Sequence, residues 1–167
     1  MENYAHLRDK YRSMERTILT LILLPLPVFA FVYLNLSKPI RTLAVPELPA
    51  FMESFLLSLT LALLLFQQIN FQKSIRPLQS PEKGLEEKMV GYLRATIVRY
   101  VILAAIGLIA SFGLLFFSNI AFTIAYAIVL VMVSVFKPSP TRIIRLFRLK
   151  GEEKEFVRVI NREYIDQ

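Results

Sequence analysis

The sequence predicts an all-α polytopic membrane protein, with four transmembrane helices arranged as two hairpins and amphipathic helices on the cytosolic side. The first observation is the run 100–136, where 37 consecutive residues include no Asp, Glu, Lys or Arg. The second is the composition: 55% of the 167 residues are hydrophobic and the mean hydropathy is +0.51, too apolar for a soluble domain of this length. The third is the uneven placement of the 20 basic residues around the apolar runs.

The composition also limits the chemistry. The chain has no cysteine, and its one histidine, His6, lies outside the apolar runs. Disulfides, thiolate nucleophiles, iron–sulfur clusters and sites built from intramembrane imidazoles are therefore excluded. None of the five glycines is spaced for a phosphate-binding loop. We accordingly expect no catalytic residue, no cofactor and no metal ion, and predict that the protein is not an enzyme.

The N-terminal segment 1–16 is polar, but its apolar residues recur at alternating steps of three and four, which is typical of one face of a helix. This stripe consists of Tyr4, Leu7, Tyr11, Met14 and Ile18. Two interpretations stay open. The helix extends the first span and rests against the protein or the headgroups, or its stripe is a coiled-coil seam for a partner.

The first two spans are predicted at 17–36 and 50–70, because a bilayer needs about 20 mainly apolar residues per helix. Pro25 and Pro27 lie in the middle of the first span and each remove a backbone hydrogen bond, so this helix should kink. Pro49 is suited to the first turn of the second helix.

Glu53 is the only acidic residue inside any predicted span. An ionisable side chain in a membrane helix is a functional hypothesis by default, because burying its charge in lipid costs free energy. Glu53 would lie only about 6 Å along the axis from the helix start, near the outer headgroups and the positive end of the helix dipole. It is therefore either a solvated interfacial carboxylate or the proton-exchanging group of a transporter.

The run 100–136 must hold two spans, because one straight helix of that length would reach about 55 Å, against about 30 Å for the apolar core of a bilayer. Its most polar pair is Ser118-Asn119, which predicts a tight reversal there. The third and fourth spans are thus predicted at 98–117 and 119–136.

Residues 73–99 are predicted to form a helical loop on the cytosolic side. Ser80-Pro81-Glu82 has the residue types of a helix start. Apolar residues then follow at helical spacing up to the third span, so one helix should run directly from this loop into that span.

Small residues predict contact between the last two spans. Gly107 and Ser111 form a small-x-x-x-small pair on the third span, and Ala121 and Ala125 form another on the fourth. Ser111 and Ala125 are equally far from Ser118 along the chain, which predicts similar depth in the hairpin. The alternative is that these residues form a homodimer face.

Residues 138–167 are predicted to form a cytosolic basic and amphipathic tail, separate from a four-helix transmembrane domain over 1–137. Pro138 and Pro140 end the fourth span. The tail's first helix should carry three basic residues on one side, close enough to the membrane surface to attract anionic headgroups. These are Arg142, Arg145 and Arg148.

After Gly151 the tail continues as a second amphipathic piece, 152–164, which contains three glutamates that anionic headgroups would repel. Its apolar face is therefore predicted to pack on protein, either on this chain's own cytosolic helices or on a partner. The face consists of Phe156, Val157, Ile160 and Tyr164.

The distribution of basic residues gives the orientation. Four Lys and Arg precede the first span, two lie between the first and second, six between the second and third, and eight follow the fourth. Positive charge holds a segment on the cytoplasmic side during insertion, so both termini and the loop 73–99 are predicted inside. This topology also explains the net charge of +7, so the predicted partner of that charge is the lipid bilayer and not nucleic acid.

Two segments in the second half of the chain form a recognisable pattern: LEEKMVGYLRATIVR at 85–99 and KPSPTRIIR at 137–145, on either side of two spans joined at Ser118-Asn119. In this pattern the chain resembles an uncharacterised family of small bacterial four-span integral membrane proteins. The resemblance implies the four-span topology in a bacterial cytoplasmic membrane. It implies no activity.

Two functions follow as expectations. The first is an accessory or scaffold subunit of a membrane complex, in which the cytosolic helices contact a protein partner or a second copy of the chain. The alternative is a small oligomeric proton-coupled transporter that uses Glu53. The scarcity of polar residues within the predicted spans favours the first.

Overall fold

The computed structural model of the chain describes residues 5–36, 46, 48–80 and 82–160. Within these ranges 88% of the residues are helical and no residue lies in a β-strand, which confirms the all-α prediction. The described helices are α1 (Ala5–Leu23), α2 (Pro25–Leu36), α3 (Ala50–Ile75), a short 3₁₀ helix (Arg76–Gln79), α4 (Leu85–Phe117), α5 (Ile120–Val135), α6 (Pro140–Phe147) and α7 (Gly151–Val159).

Helix α4 is the central element of the fold, because α1, α2, α3 and α5 all pack against it. Its 33 residues extend about 50 Å at about 1.5 Å per residue. Half of its most apolar stretch is buried, against 17% for the corresponding stretches of α1–α2 and of α3. The outer helices therefore each present one apolar face to α4 and leave the other uncovered.

The packing partners of α4 show how the chain runs. Helices α1 and α2 lie parallel to α4, since His6 contacts Glu86 near the start of both segments and Pro25 lies against Gly107 further along. Helices α3 and α5 run antiparallel to it, and α5 follows α4 directly. We call the end that holds 5–16, 72–99 and 137–160 the basal end, and the opposite end the distal end.

The reversal between α4 and α5 is at the predicted place. Helix α4 ends at Phe117 and α5 begins at Ile120, which leaves only Ser118 and Asn119 between them. Ser118 adopts the left-handed conformation with φ of 53°, and its N–H donates to Leu114 O at 2.9 Å. Asn119 begins α5, since its Oδ1 accepts a hydrogen bond from Ala121 N at 2.8 Å.

The helix over 5–36 is interrupted at the prolines that predicted a kink. Helix α1 ends at Leu23 and α2 begins at Pro25, with Leu24 as a turn residue between them. Pro25 has no N–H to continue the helical ladder, so the break falls directly before it. Pro25 is buried, and a Cβ placed at Gly107 would lie 3.0 Å from its Cβ. The missing side chain at Gly107 thus lets α2 approach α4 closely.

The basal end contains a hydrophobic core, the basal core, which α1, the end of α3, the 3₁₀ helix, α4, α6 and α7 build together. The predicted N-terminal stripe and the apolar faces of the tail both contribute to it, so these surfaces pack within the chain. Its buried members include Leu7, Tyr11, Met14, Leu78, Met89, Tyr92, Ile143, Phe147, Val157 and Ile160. Tyr4 and Tyr164, which the sequence assigned to the same faces, lie outside the described residues.

Outside the charged basal segments, the helices expose large apolar side chains. Phe31 on α2, Phe55 on α3 and Val131 on α5 are each more than half exposed. Three helical segments, His6–Leu36, Ala50–Gln79 and Leu85–Phe117, are long and apolar enough to cross a membrane. A fourth span results if α5 and α6, whose axes meet at 77°, are taken together.

Two predicted details of the basal end are wrong. Helix α4 begins at Leu85 and not near Ser80, because Ser80 O accepts from Lys83 N at 3.4 Å and the chain makes a turn before the helix starts. Arg148 does not share a helix face with Arg142, because α6 ends one residue earlier. Arg148 has φ of 50°, and this left-handed residue turns Leu149 back into the basal core.

The close contact of α4 with α5 at Gly113 gives a stability prediction. A Cβ at Gly113 would lie 2.2 Å from Phe122 Cε1, and Phe122 is fully buried, so its ring has no free space to move into. We expect Gly113→Ala to destabilise the protein by about 1–3 kcal/mol in thermal unfolding.

Gly84→Ala is the control, since nothing lies within 4 Å of a Cβ at that position and its φ of −67° is one that alanine readily adopts. Equal melting temperatures for the two variants would contradict the tight contact.

Candidate functional site

The four small residues predicted to mediate packing all lie in or beside the contacts of α4. Gly107, Ser111 and Ala125 are buried, and Ala121 is half-buried. Ser111 Oγ donates to Gly107 O at 2.8 Å, within its own helix. Ala125 packs in a cluster with Ala110 and Tyr126, where α4 meets α5.

Glu53 lies in the first turn of α3 at the distal end, and its side chain is partly exposed. Asn119 Nδ2 donates to Glu53 Oε1 at 2.5 Å, so the carboxylate joins the start of α3 to the reversal between α4 and α5. The same asparagine caps α5 through its other side-chain atom. This arrangement gives Glu53 a role in joining helices, which the sequence did not indicate.

The predicted basic residues of the tail have three different positions. Arg142 is half-buried, and its Nη1 donates to Val135 O at 3.0 Å, where the last carbonyl groups of α5 lack helical partners. Arg145 is exposed on α6, and Arg148 is exposed beyond the end of that helix. Only Arg142 therefore makes a defined contact with the helix bundle.

The most unusual polar residue of the described chain is Arg99, which the sequence indicated only as a basic residue before the third span. Its side chain is 3% exposed, between α3, α4 and α5 near the basal end. Arg99 Nε donates to Gln67 Oε1 at 2.8 Å, and its Nη2 donates to Gln68 Oε1. Two neutral amide groups thus hold a buried positive charge.

Two aromatic rings complete the surroundings of Arg99. Its Cζ lies 4.4 Å from the ring centroid of Phe71 on α3 and 3.4 Å from that of Phe136, at the end of α5. The negative faces of aromatic rings attract a guanidinium, with up to about 2 kcal/mol or more when the site excludes water. Arg99 therefore links α3, α4 and α5 through one side chain.

Arg99 has no carboxylate partner among the described residues, unlike most buried charges. Removing a charge from water costs several kcal/mol. Two hydrogen bonds to a charged group, at about 1.5–3 kcal/mol each, and two cation–π contacts offset a cost of that size. A guanidinium does not release its proton in proteins, so Arg99 is a fixed charge and not an acid or base.

Gln67 extends this arrangement to α5. It is fully buried, and while its Oε1 accepts from Arg99, its Nε2 lies 3.6 Å from Met132 Sδ. Glutamine and arginine near the ends of apolar runs ordinarily indicate where a span leaves the membrane. The only sequence signal for this site is that Gln67, Gln68 and Arg99 lie at similar depth near the ends of neighbouring spans. Side chains at that depth can either contact each other or face the headgroups, and the sequence does not show which.

The described residues include one small crevice and no set of side chains suited to a metal ion. They contain no group of three or more His, Asp or Glu side chains that could hold a metal ion. A crevice between α1, α4 and α5, lined by residues such as Pro25, Tyr100 and Val133, has a volume of about 10 Å³. That volume holds one water molecule at most.

Comparison of the chain with protein-family models, with curated proteins and with solved structures finds no match.

The contacts of Arg99 predict that lysine cannot replace it. Lysine would keep the charge but lose the planar fork that reaches both glutamines and stacks on both rings. We expect Arg99→Lys to lower the free energy of unfolding by about 1–3 kcal/mol, measured by thermal or denaturant unfolding in detergent.

Arg94→Lys is the matched control, because Arg94 is exposed on the same helix and its replacement should change stability by less than about 0.5 kcal/mol. A stable Arg99→Lys variant would show that the charge alone is sufficient.

Proposed function

We propose that the chain is an integral membrane protein with four spans and both termini in the cytoplasm, and that it serves as an accessory or scaffold subunit of a membrane complex without catalytic activity of its own. The basal end would then form a cytoplasmic layer, and the distal end would reach the opposite surface. Membership of a family of small bacterial membrane proteins stays a prediction.

The separation of charge from apolar surface is the observation that carries the membrane proposal. All 17 Lys and Arg residues in the described ranges belong to segments at the basal end, together with eight Asp and Glu. The rest of the helical surface is dominated by exposed aliphatic and aromatic side chains. A soluble protein would not leave so much contiguous apolar surface uncovered, whereas a bilayer covers it and retains the basic end inside.

The fourth span is the shortest. Helix α5 has 16 residues and extends about 24 Å, less than the roughly 30 Å of an average bilayer core. A short span is accommodated by local thinning of the bilayer or by side chains that reach toward the headgroups. Because α6 turns by 77° from α5, it would lie close to the plane of the inner surface.

The basal core supports the scaffold role. Six helical segments from both halves of the chain form one folded layer, so the protein presents a preformed surface and not a set of loose amphipathic helices. The outside of this layer is mainly basic. A partner with an acidic surface fits it better than a second copy of the chain, because like charges would face each other in a symmetric dimer.

The transporter alternative has less support. Glu53 is partly exposed at the distal end and is hydrogen-bonded to Asn119. A coupling carboxylate is expected deeper in the bilayer, beside a path for the transported ion.

The topology is tested with single cysteines, which report cleanly because the native chain has none. A cysteine at Thr42 should react with a membrane-impermeant reagent in intact cells, and cysteines at Ser80 and Gln167 should react only after the cells are permeabilised. The unsubstituted chain is the background control. Labelling at Ser80 but not at Thr42 in intact cells would overturn the orientation.

The scaffold role is tested by purification of the full chain in native lipid. We expect a stoichiometric protein partner, and we expect joint reversal of two exposed basic residues, Lys150→Glu and Lys154→Glu, to reduce its recovery about tenfold. Replacing the same residues by arginine preserves the charge and should preserve the partner. The proposal fails if no partner is recovered, or if the charge-reversed protein binds it as well as the native chain does.

A further inference from the structure

Two arginines meet at one aromatic ring near the end of α5. The Cζ atoms of Arg99 and Arg142 lie 3.4 and 5.4 Å from the ring centroid of Phe136. Neither guanidinium has a carboxylate partner among the described residues, whose ion pairs at the basal end join other side chains. Packing explains Arg99, but it does not explain why a second guanidinium is placed beside it.

Like charges this close repel each other, and the repulsion is stronger where protein and lipid exclude water. The partial negative charge at the C-terminal end of α5 offsets some of it, through the bond from Arg142 Nη1 to Val135 O. That bond leaves Nε and Nη2 of Arg142, which is half-buried, for a further acceptor. An anion next to Arg142 would relieve the repulsion and use these donors.

The position along the molecule points to the type of anion. Val131 and Val135 are 61% and 63% exposed on α5, and the next residues are Phe136 and the exposed Lys137. The apolar surface of α5 therefore ends beside the arginine pair. In the proposed orientation this is the depth of the phosphate groups of the inner leaflet.

We propose that Arg142, with Arg99 behind it, forms a binding site for a phosphate group at the basal end of α5, and that an anionic phospholipid supplies this group. Guanidinium groups suit phosphate because their planar donors can bridge two of its oxygens. Arg142 makes the contact, whereas Arg99 is covered and adds its fixed charge at short range. The inference that a lipid supplies the phosphate rests on the proposed membrane orientation. The inference that the two arginines bind a phosphate group does not depend on that orientation.

The test uses the full-length protein in neutral detergent and follows its melting temperature during titration with phosphatidylglycerol, phosphatidylcholine or inorganic phosphate. Phosphatidylglycerol should raise the melting temperature, and phosphatidylcholine should not. Arg142→Gln should weaken the apparent affinity for phosphatidylglycerol at least about tenfold, because it removes the contacting charge.

Arg145→Gln is the matched control, since Arg145 lies exposed on the same helix without a contact to Phe136. The affinity of the Arg145→Gln protein for phosphatidylglycerol should stay within about twofold of the native value, because the charge that it loses is exposed and screened by salt. If Arg142→Gln does not fold, Arg142→Lys replaces it, with an expected loss of at least about threefold because an ammonium cannot form the planar fork.

An effect of inorganic phosphate equal to that of phosphatidylglycerol would support the site but assign it to a free anion. Equal losses in the Arg142 and Arg145 variants, or no shift with either phosphate source, would overturn the site. A protein with the predicted cysteine labelling but no lipid-dependent shift would refute this site alone and leave the membrane proposal intact.

Discussion

The need to surround α4 with apolar partners determines the rest of this fold. Helix α4 passes without a break from the charged basal end to the distal end, and α1, α2, α3 and α5 all pack on it. Glycines at 107 and 113 admit Pro25 and Phe122, and Arg99 is held by side chains of α3 and α5. Helix α4 contributes residues both to the apolar half and to the basal core, so one unbroken helix connects the two regions.

The elements that depend on local chemistry could be predicted from the sequence. Pro25 interrupts its helix wherever that helix packs, and the Ser118-Asn119 pair stops α4 because Asn119 caps the next helix. Hydrophobic periodicity likewise identified the apolar faces of α1, α6 and α7, since it requires only the spacing of residues along one helix.

The pairing between distant elements could not be predicted in the same way. Periodicity shows that Leu7 and Val157 lie on apolar faces, but not that both faces enter one core. Arg99 was interpreted as the boundary of a span, because a basic residue beside an apolar run ordinarily anchors it to the headgroups. Its burial depends on Gln67, Phe71 and Phe136, which come from two other helices, and no local pattern contains that information.

The construction of the basal core also sets the order in which the protein can be completed during synthesis. His6 and Glu86 meet at this end but are 80 residues apart in the chain. At a synthesis rate of about 5–20 residues per second, Glu86 is added roughly 4–16 s after His6. Val157 and Ile160 enter the same core from the last described helix. The apolar face of α1 therefore stays uncovered until α4 has been made, and this end of the molecule closes only after Val157 and Ile160 have been synthesised.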